Sequence, residues 1–326
     1  MRADRSDRLT MIAPRWGLIL LLVSPFVGCQ RTSPKAALSD DAASKVAITQ
    51  QIGQVLAESA AVRGLTVTST VPVRFLGADP YRQKLGEHAA AEIFGAASDQ
   101  VASIWVALNF ADPGVRPHEI ALQIVDEKQN EAFYHQGDNV LYVREPSAKY
   151  DATTSAAVVK GLTRFLQVQH SAAPSMGIDL DANMAAFALR EGAATATFTA
   201  YTAKQKGKPV DDSVAKIAAL LDSLPIEALI TSTGFAPALR RAPLLLRDAL
   251  TRANAGGLRL VAALLHTGGF ELVNRALAKP PTSMLAVFDP PRYVSGWQPV
   301  ALSPIDISAR RDVTARLRSS RHPRVC

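Results

Sequence analysis

The residue types that carry most enzyme chemistry occur in this chain without the spacing of a standard catalytic motif. Its six histidines are scattered, and no two of them stand at the i, i+4 spacing that lets one helix face hold a metal ion. A G-x-S-x-G turn, a phosphate-binding loop and a paired-glycine dinucleotide fingerprint do not occur in the sequence. The sequence therefore offers no standard site for nucleophilic, nucleotide or metal chemistry.

A helix predicted over 153–170 carries two cations one turn apart, Lys160 and Arg164, on a face separate from its apolar stripe. The stripe, which we expect to be buried, consists of Val158, Leu162, Phe165 and Leu166. A lysine ammonium and an arginine guanidinium are protonated donors near neutral pH and offer a metal ion no lone pair. This face of the helix therefore lacks metal ligands.

Several spaced motifs between residues 131 and 295 follow one family pattern. In the helix, the pattern H-E-L-x-H-A-L-Q-x-Q-H is matched by Leu162, Leu166, Gln167, Gln169 and His170. Further on, the pattern A-L-x-E-G-x-A is matched by Ala188, Leu189, Glu191, Gly192 and Ala194. A glycine pair at 268–269 then precedes a last segment that matches in Pro280, Pro281, Ser283, Pro290 and Tyr293. In these residues the chain resembles bacterial secreted and lipoprotein zinc metallopeptidases of the HExxH, gluzincin-like type.

The departures from this pattern fall on the residues that would hold and use the zinc. The resemblance places the two zinc-binding histidines at Lys160 and Arg164, and the glutamate base at Gly161. The late histidine of the family is Asp289, and only Glu191, at the third-ligand position, remains. We therefore predict a degenerate metallopeptidase relative with no catalytic residue, no metal and no cofactor.

The resemblance also suggests what the substituted residues do. If Glu191 lies where the family's third ligand lies, Lys160 or Arg164 replaces the metal as its positive partner, and a buried carboxylate needs such a partner. Alternatively, all three side chains face solvent. Two other functions stay open: an active hydrolase that uses Glu191 with His170, and a structural envelope protein without a ligand, which would lack a deep pocket around residues 160–195.

The N-terminal residues have the pattern of an export signal. Positive residues precede a short apolar run, 16–23, which is too short to span a bilayer and is followed by Pro25. The run ends in Phe-Val-Gly-Cys, which resembles a lipobox with Cys29 as the lipidated residue, and Met1 or Met11 could be the start. We predict a signal peptide over 1–28 and anchoring to the bacterial envelope membrane through Cys29.

The remaining elements predict an α+β, mainly α-helical fold, which the resemblance specifies as a single zincin-like domain with a small β-hairpin. We expect a tether over 29–45, the domain over 46–305 and a basic tail over 306–326. The hairpin is predicted over 131–143, and later helices are predicted to break at the glycine pairs 256–257 and 268–269. Six arginines against one aspartate in 310–326 carry most of the formal charge of +7. We therefore expect no nucleic-acid partner, but a peptide or protein partner at the domain's cleft.

Overall fold

The structure is a computed structural model, and it describes residues 34–94, 98–110, 112–114, 131–145, 152–171, 179–225, 227–229 and 244–300. The chain falls into two units, Met1–Ala42 and Ala43–Cys326. Cys29, the predicted signal peptide and the predicted tail 306–326 lie outside the described residues. The predicted tether lies partly inside them, and there a helix already begins at Pro34.

The described part of the chain is mainly helical with one small sheet, which confirms the predicted α+β, mainly α-helical class. Its helices are α1 (Pro34–Arg63), α2 (Ala78–Phe94), α3 (Ser98–Ala107), α4 (Ala152–His170), α5 (Leu180–Gln205), α6 (Val210–Ser223), α7 (Leu244–Ala278), α8 (Met284–Phe288) and α9 (Pro290–Val294). Its strands are β1 (Val73–Leu76), β2 (Ala132–His135) and β3 (Val140–Arg144). None of the described helices combines the length and the apolarity that crossing a bilayer requires.

The sheet has three strands in the order β1-β3-β2. Strands β2 and β3 form the predicted hairpin, antiparallel and in a register that pairs Tyr134 with Leu141. Asn139 has a φ of 53°, which a turn of this kind requires, and its Oδ1 accepts a hydrogen bond from the Tyr134 hydroxyl at 2.8 Å. Strand β1 pairs with β3 in parallel. It covers Val73–Leu76 and lies at one edge of the sheet.

Helix α4 packs directly on the hairpin because of one glycine. A Cβ atom at Gly161 would lie 2.7 Å from Leu141 Cδ1 and 3.3 Å from the backbone nitrogen of Tyr134. The predicted apolar stripe of α4 is buried against the same strands, as Val158, Leu162, Phe165 and Leu166 show. The position that the resemblance assigns to a glutamate base is therefore filled by the hairpin, and a glutamate would not fit without moving it.

Helix α5 meets α7 in a second close contact, between Gly192 and Gly257. A Cβ atom on Gly257 would overlap the backbone carbonyl of Ala188, and a Cβ atom on Gly192 would overlap the backbone of Gly257. The prediction of a helix break at 256–257 is thus wrong, because α7 continues through both glycines. Glycine stands there because two helix backbones touch.

The predicted break at 268–269 is confirmed inside α7. Gly268 and Gly269 have non-helical backbone angles, and Gly269 lies at a φ of 62°, which favours glycine. The segment after this break carries Asn274, whose side chain binds the end of α1. Its Oδ1 accepts hydrogen bonds from the Arg63 guanidinium, and its Nδ2 donates to the Arg63 carbonyl at 3.0 Å.

The start of α5 is fixed by Asp179, whose carboxylate accepts a hydrogen bond from Ala182 N at 3.1 Å. Asp181 accepts instead from Met284 N, at the start of α8, at 2.9 Å. Two neighbouring aspartates thus hold α5 in position and tie it to the closing segment of the chain.

Candidate functional site

Four charged side chains from α2, α4 and α5 form one connected chain of ion pairs. Arg164 Nη2 lies 2.6 Å from Glu191 Oε1 and 3.2 Å from Glu92 Oε2. Arg190 Nη2 lies 3.4 Å from the same oxygen of Glu92. The order of the groups is therefore Arg190, Glu92, Arg164, Glu191, with alternating charge. We call these four residues the ionic chain.

Arg164 is the centre of this arrangement. It is only 8% exposed, and besides its two carboxylate contacts its Nη1 donates to Gln167 Oε1 at 3.2 Å. Of the two cations that the sequence offered as partners of Glu191, the structure places Arg164 there. Lys160 is partly exposed and makes no ion pair with any described residue. The two cations one turn apart thus face different surroundings.

Charge pairing decides the protonation state of Glu92. Burial alone would raise its pKa, but the positive charges of Arg164 and Arg190 outweigh burial and hold the pKa at about 2. Burial lowers the pKa of Arg190, an effect that Glu92 opposes. The Glu92 carboxylate is therefore ionised at any physiological pH and is a charged partner for both arginines.

His88 lies one helical turn before Glu92 and adds a neutral group. Its ring stacks on Phe133 with centroids 5.0 Å apart, and the ring of His135 lies 6.3 Å away. Burial lowers the pKa of His88 to about 4, with Glu92 opposing this shift. The imidazole is therefore uncharged near neutral pH and can both donate and accept one hydrogen bond.

These residues line a cavity of about 330 Å³ between the hairpin turn and helices α2, α4 and α5. Its polar lining includes His88, Glu92, His135, Gln136, Arg164, Gln167, Ser171 and Arg190. The remaining wall is largely apolar, and it includes Tyr134, Val168, Ala186, Leu277 and Pro280. A few convergent polar groups set in an apolar wall are typical of a ligand pocket.

The turn of the hairpin forms one rim of the cavity and is held by its own charges. Asp138 N donates to His135 Nδ1 at 3.1 Å, so this ring nitrogen acts as an acceptor. The Asp138 carboxylate contacts Lys84 Nζ at 3.1 Å and accepts from the Tyr142 hydroxyl at 2.7 Å. These bonds fix the rim to α2 and to strand β3.

The residues present do not fit the zinc ion that the resemblance implies. The hairpin fills the space where a side chain at position 161 would lie. The guanidinium of Arg164 forms an ion pair with the carboxylate of Glu191. Asp289, at the late-histidine position, lies 2.8 Å from Arg292 Nε and is partly exposed. Within the described ranges, no three histidine, cysteine or acidic side chains are grouped as a metal ion would require.

The alternative pair of Glu191 and His170 is not brought together. His170 Nε2 lies 2.8 Å from the Thr66 carbonyl oxygen, while the Glu191 carboxylate binds Arg164. His170 does not line the cavity. In the part of the chain that is described, no hydrogen bond or ion pair joins these two side chains, which gives the hydrolase alternative no support.

Sequence reasoning missed three residues of the site: His88, Glu92 and Arg190. The spacing of His88 and Glu92, four residues apart on a predicted helix, placed both on one face and was the available signal. Arg190 precedes Glu191 directly, but nothing in its neighbourhood marked it as a cavity residue. The structure was needed because the contacts of Glu92 join residues about 70 to 100 positions apart.

Comparison of the chain with protein-family models, with curated proteins and with solved structures found no match. The chemistry of the site therefore rests on its own geometry. That geometry offers guanidinium and amide donors, the neutral imidazole of His88 and an apolar wall, while the carboxylates are already paired. Such an arrangement is suited to holding a ligand.

Proposed function

We propose that this chain is a non-catalytic, metallopeptidase-like protein of the bacterial envelope, anchored through lipidated Cys29, whose cavity binds a peptide segment of a partner. One observation carries the proposal: Arg164 forms the ion pair with Glu191 at the positions where the resemblance implies a zinc ligand on each of two helices. The fold would be the zincin-like one in which a charge pair replaces the metal.

The energetics of Arg164 support this replacement. Removing one partner of a buried ion pair costs about 3 to 5 kcal/mol. Glu191 is partly buried, with its side chain 25% exposed, so the cost there lies towards the lower end, and it needs a positive group whether or not a metal is bound. Arg164 supplies that group with a planar guanidinium, which suits carboxylates better than a lysine ammonium does. The pair therefore links α4 to α5 without a metal ion.

The cavity supports binding over a purely structural role. A structural protein without a ligand predicts no deep pocket around residues 160–195, yet a cavity of about 330 Å³ lies against Arg164, Gln167 and Arg190. This volume falls at the lower end of the range for small-ligand sites. It would take one or two residues of a peptide rather than a folded surface.

The envelope location is supported by the sequence alone. A positive segment, a short apolar run and a cysteine after Gly28 have the order of a lipoprotein signal. Acyl chains on Cys29 would contribute about 0.8 kcal/mol for each buried methylene, and several chains make a stable anchor. Substitution Cys29→Ser should move the protein from the membrane fraction to the soluble fraction of the producing bacterium.

The central test is metal analysis of the purified protein together with peptidase assays. We expect substoichiometric zinc by mass spectrometry of the metal content, and no casein hydrolysis that EDTA abolishes. One zinc per chain that EDTA removes, with loss of peptidase activity, would sink the proposal. The variant Arg164→His places one imidazole where the guanidinium stands. We expect this variant to bind no stoichiometric zinc either, because one imidazole does not complete a zinc site.

A further inference from the structure

The two arginines of the ionic chain are not equally well supplied with hydrogen-bond acceptors. Arg164 has two carboxylates and an amide oxygen as partners, whereas Arg190 has a single carboxylate contact, at 3.4 Å. The Nε of Arg190 is buried and has no hydrogen-bond partner. A guanidinium carries five N–H donors, so most donors of Arg190 remain available to a ligand at the cavity.

Gln167 provides a second unmet donor beside the same cavity. The side chain is 6% exposed, and its Nε2 has no hydrogen-bond partner. The orientation of this amide is fixed by Arg164, because Nη1 of the arginine donates to Oε1 of Gln167 at 3.2 Å. The opposite orientation would bring two donors together, so the nitrogen is the atom left without a partner.

The charged side chains that line the cavity do not balance one another. Two guanidinium groups, of Arg164 and Arg190, stand against the single carboxylate of Glu92 among the fully charged side chains of the lining. His88 stays neutral near pH 7, because burial lowers its pKa to about 4. Glu191 balances Arg164 outside the lining, so the ionic chain as a whole is neutral, and the positive excess is local to Arg190, which shares its one carboxylate with Arg164. This end of the chain favours a ligand group that is negatively charged and accepts hydrogen bonds.

The apolar part of the wall adds the second requirement. Leu277 and Pro280 line the cavity together with Val168 and Ala186, so apolar side chains share the wall with the polar groups of α4 and α5. A ligand that fills the cavity must present an apolar group close to its acceptor group, because burying apolar surface here is favourable and burying a second charge is not.

We propose that the cavity binds the C-terminal residue of a peptide, with its free carboxylate on Arg190 and Gln167 and its apolar side chain on Leu277 and Pro280. This proposal rests on the proposed binding function and names the ligand class. A carboxylate accepts hydrogen bonds only and can take two parallel bonds from one guanidinium. A peptide amino terminus is disfavoured, since Glu92 already binds two arginines. A dianionic phosphate would place a second negative charge beside Glu92.

The test compares a peptide acid with its amide. Purified full-length protein is titrated into the peptide Gly-Gly-Ala-Leu labelled with fluorescein at its N-terminus, and fluorescence polarisation is recorded at pH 7.5. We expect the free acid to bind at least about tenfold more tightly than the C-terminal amide, because only the acid supplies the charge and the second acceptor. Equal affinity of acid and amide would overturn the carboxylate assignment and leave peptide binding intact.

Variants locate the binding in the cavity. Arg190→Gln should remove most of the preference for the acid, and Arg190→Lys should restore only part of it, because lysine lacks the planar fork. Arg275→Gln serves as the matched control, since that arginine is on the surface and pairs with Glu271 in the next turn. An acid preference that survives in Arg190→Gln would overturn the site.

A competition experiment distinguishes a peptide carboxylate from the carboxylate of a small free acid. The small acid 4-methylpentanoate carries the same apolar group and carboxylate without a peptide chain, and we expect it to compete at least about tenfold more weakly than the peptide. Competition as strong as that of the peptide would overturn the peptide assignment in favour of a small free acid. If neither the peptide nor the small acid binds, this inference fails, while metal analysis still decides the non-catalytic assignment separately.

Discussion

Helix α5 meets its neighbours in two contrasting ways at adjacent residues. Glu191 reaches Arg164 of α4 through a charged contact at 2.6 Å, and Gly192 touches the backbone of α7 at Gly257. The first contact is made by side chains whose charges must match. The second contact is possible because neither glycine has a side chain, so the two helix backbones can touch.

The difference teaches which part of the site can change chemically. At Gly192 and Gly257 the requirement is shape, and any added atom overlaps a helix backbone. At Arg164 and Glu191 the requirement is opposite charge, which a metal ion or a guanidinium can each supply. A chain of this kind could exchange its charged contact while the glycine contact stayed the same.

The largest expected effect tests the close contact between α5 and α7 at Gly257. Gly257→Ala should lower the free energy of unfolding by about 4 kcal/mol or more, because its Cβ would overlap the Ala188 carbonyl. Urea denaturation followed by circular dichroism measures this change. Gly53→Ala, in an exposed part of α1 with nothing near its Cβ, is the control and should stabilise the protein by about 0.5 to 1 kcal/mol. Similar changes in the free energy of unfolding for both variants would contradict the claim that the contact at Gly257 requires glycine.

The next largest effect tests the ion pairs that Arg164 makes. Arg164→Met should destabilise the protein by about 3 kcal/mol, because Glu191 loses its only cation and Glu92 loses one of two. Lys160→Met is the matched control one turn earlier in α4, and we expect it to stay within about 0.5 kcal/mol. Equal losses in the two variants would mean that a cation with carboxylate partners is worth no more than one without them, which would contradict the role given to the ion pairs of Arg164.

A third effect concerns pH. Burial holds the pKa of His88 at about 4, below its ordinary value of 6.5, so the unfolded chain binds this proton more readily than the folded one. Its contribution to stability is complete above about pH 6.5 and is lost as the pH falls towards 4. His88→Asn should therefore reduce the loss of stability between pH 7 and pH 4 by about 1 to 3 kcal/mol.

Denaturation series at several pH values measure this difference. His266→Asn is the control, because His266 is exposed and its removal should leave the slope with pH unchanged. A wild-type slope that persists in His88→Asn would show that other groups carry the dependence.

The smallest effect is expected at the open end of the ionic chain. Arg190→Gln should cost about 1 kcal/mol, because its pair with Glu92 is long and Glu92 keeps Arg164. Thermal melting with and without the peptide acid is the measurement. A cost near that of Arg164→Met would make Arg190 a structural residue and would remove the distinction between the two arginines.

Much of the fold could be predicted from local sequence patterns. The bounds of α5 follow from the Asp179 cap, and the hairpin follows from its turn residues. The break at Gly268–Gly269 was predictable for the same local reason, but the pair at 256–257 was not. Its reason is the contact with Ala188, about 70 residues earlier, and no local pattern contains that information.

The site was predictable only where the family pattern extended to it. The pattern named Arg164 and Glu191, and it offered Lys160 as an equal alternative, because spacing alone does not tell which of two cations turns inward. Glu92 and Arg190 could not be found this way, since their roles depend on how α2 packs beside α4 and α5. The lining of the cavity is a property of packing, which composition and periodicity do not determine.

The contact between Arg63 and Asn274 has a consequence for the far wall of the cavity. Asn274 lies one turn before Leu277 on the short segment that follows Gly269, and Arg63 holds it while stacking over Phe270 at 5.5 Å. Arg63 is 1% exposed and has an amide rather than a carboxylate as its partner. The end of α1 therefore anchors the segment that carries Leu277, so the apolar wall of the cavity depends on a contact made more than 200 residues earlier in the chain.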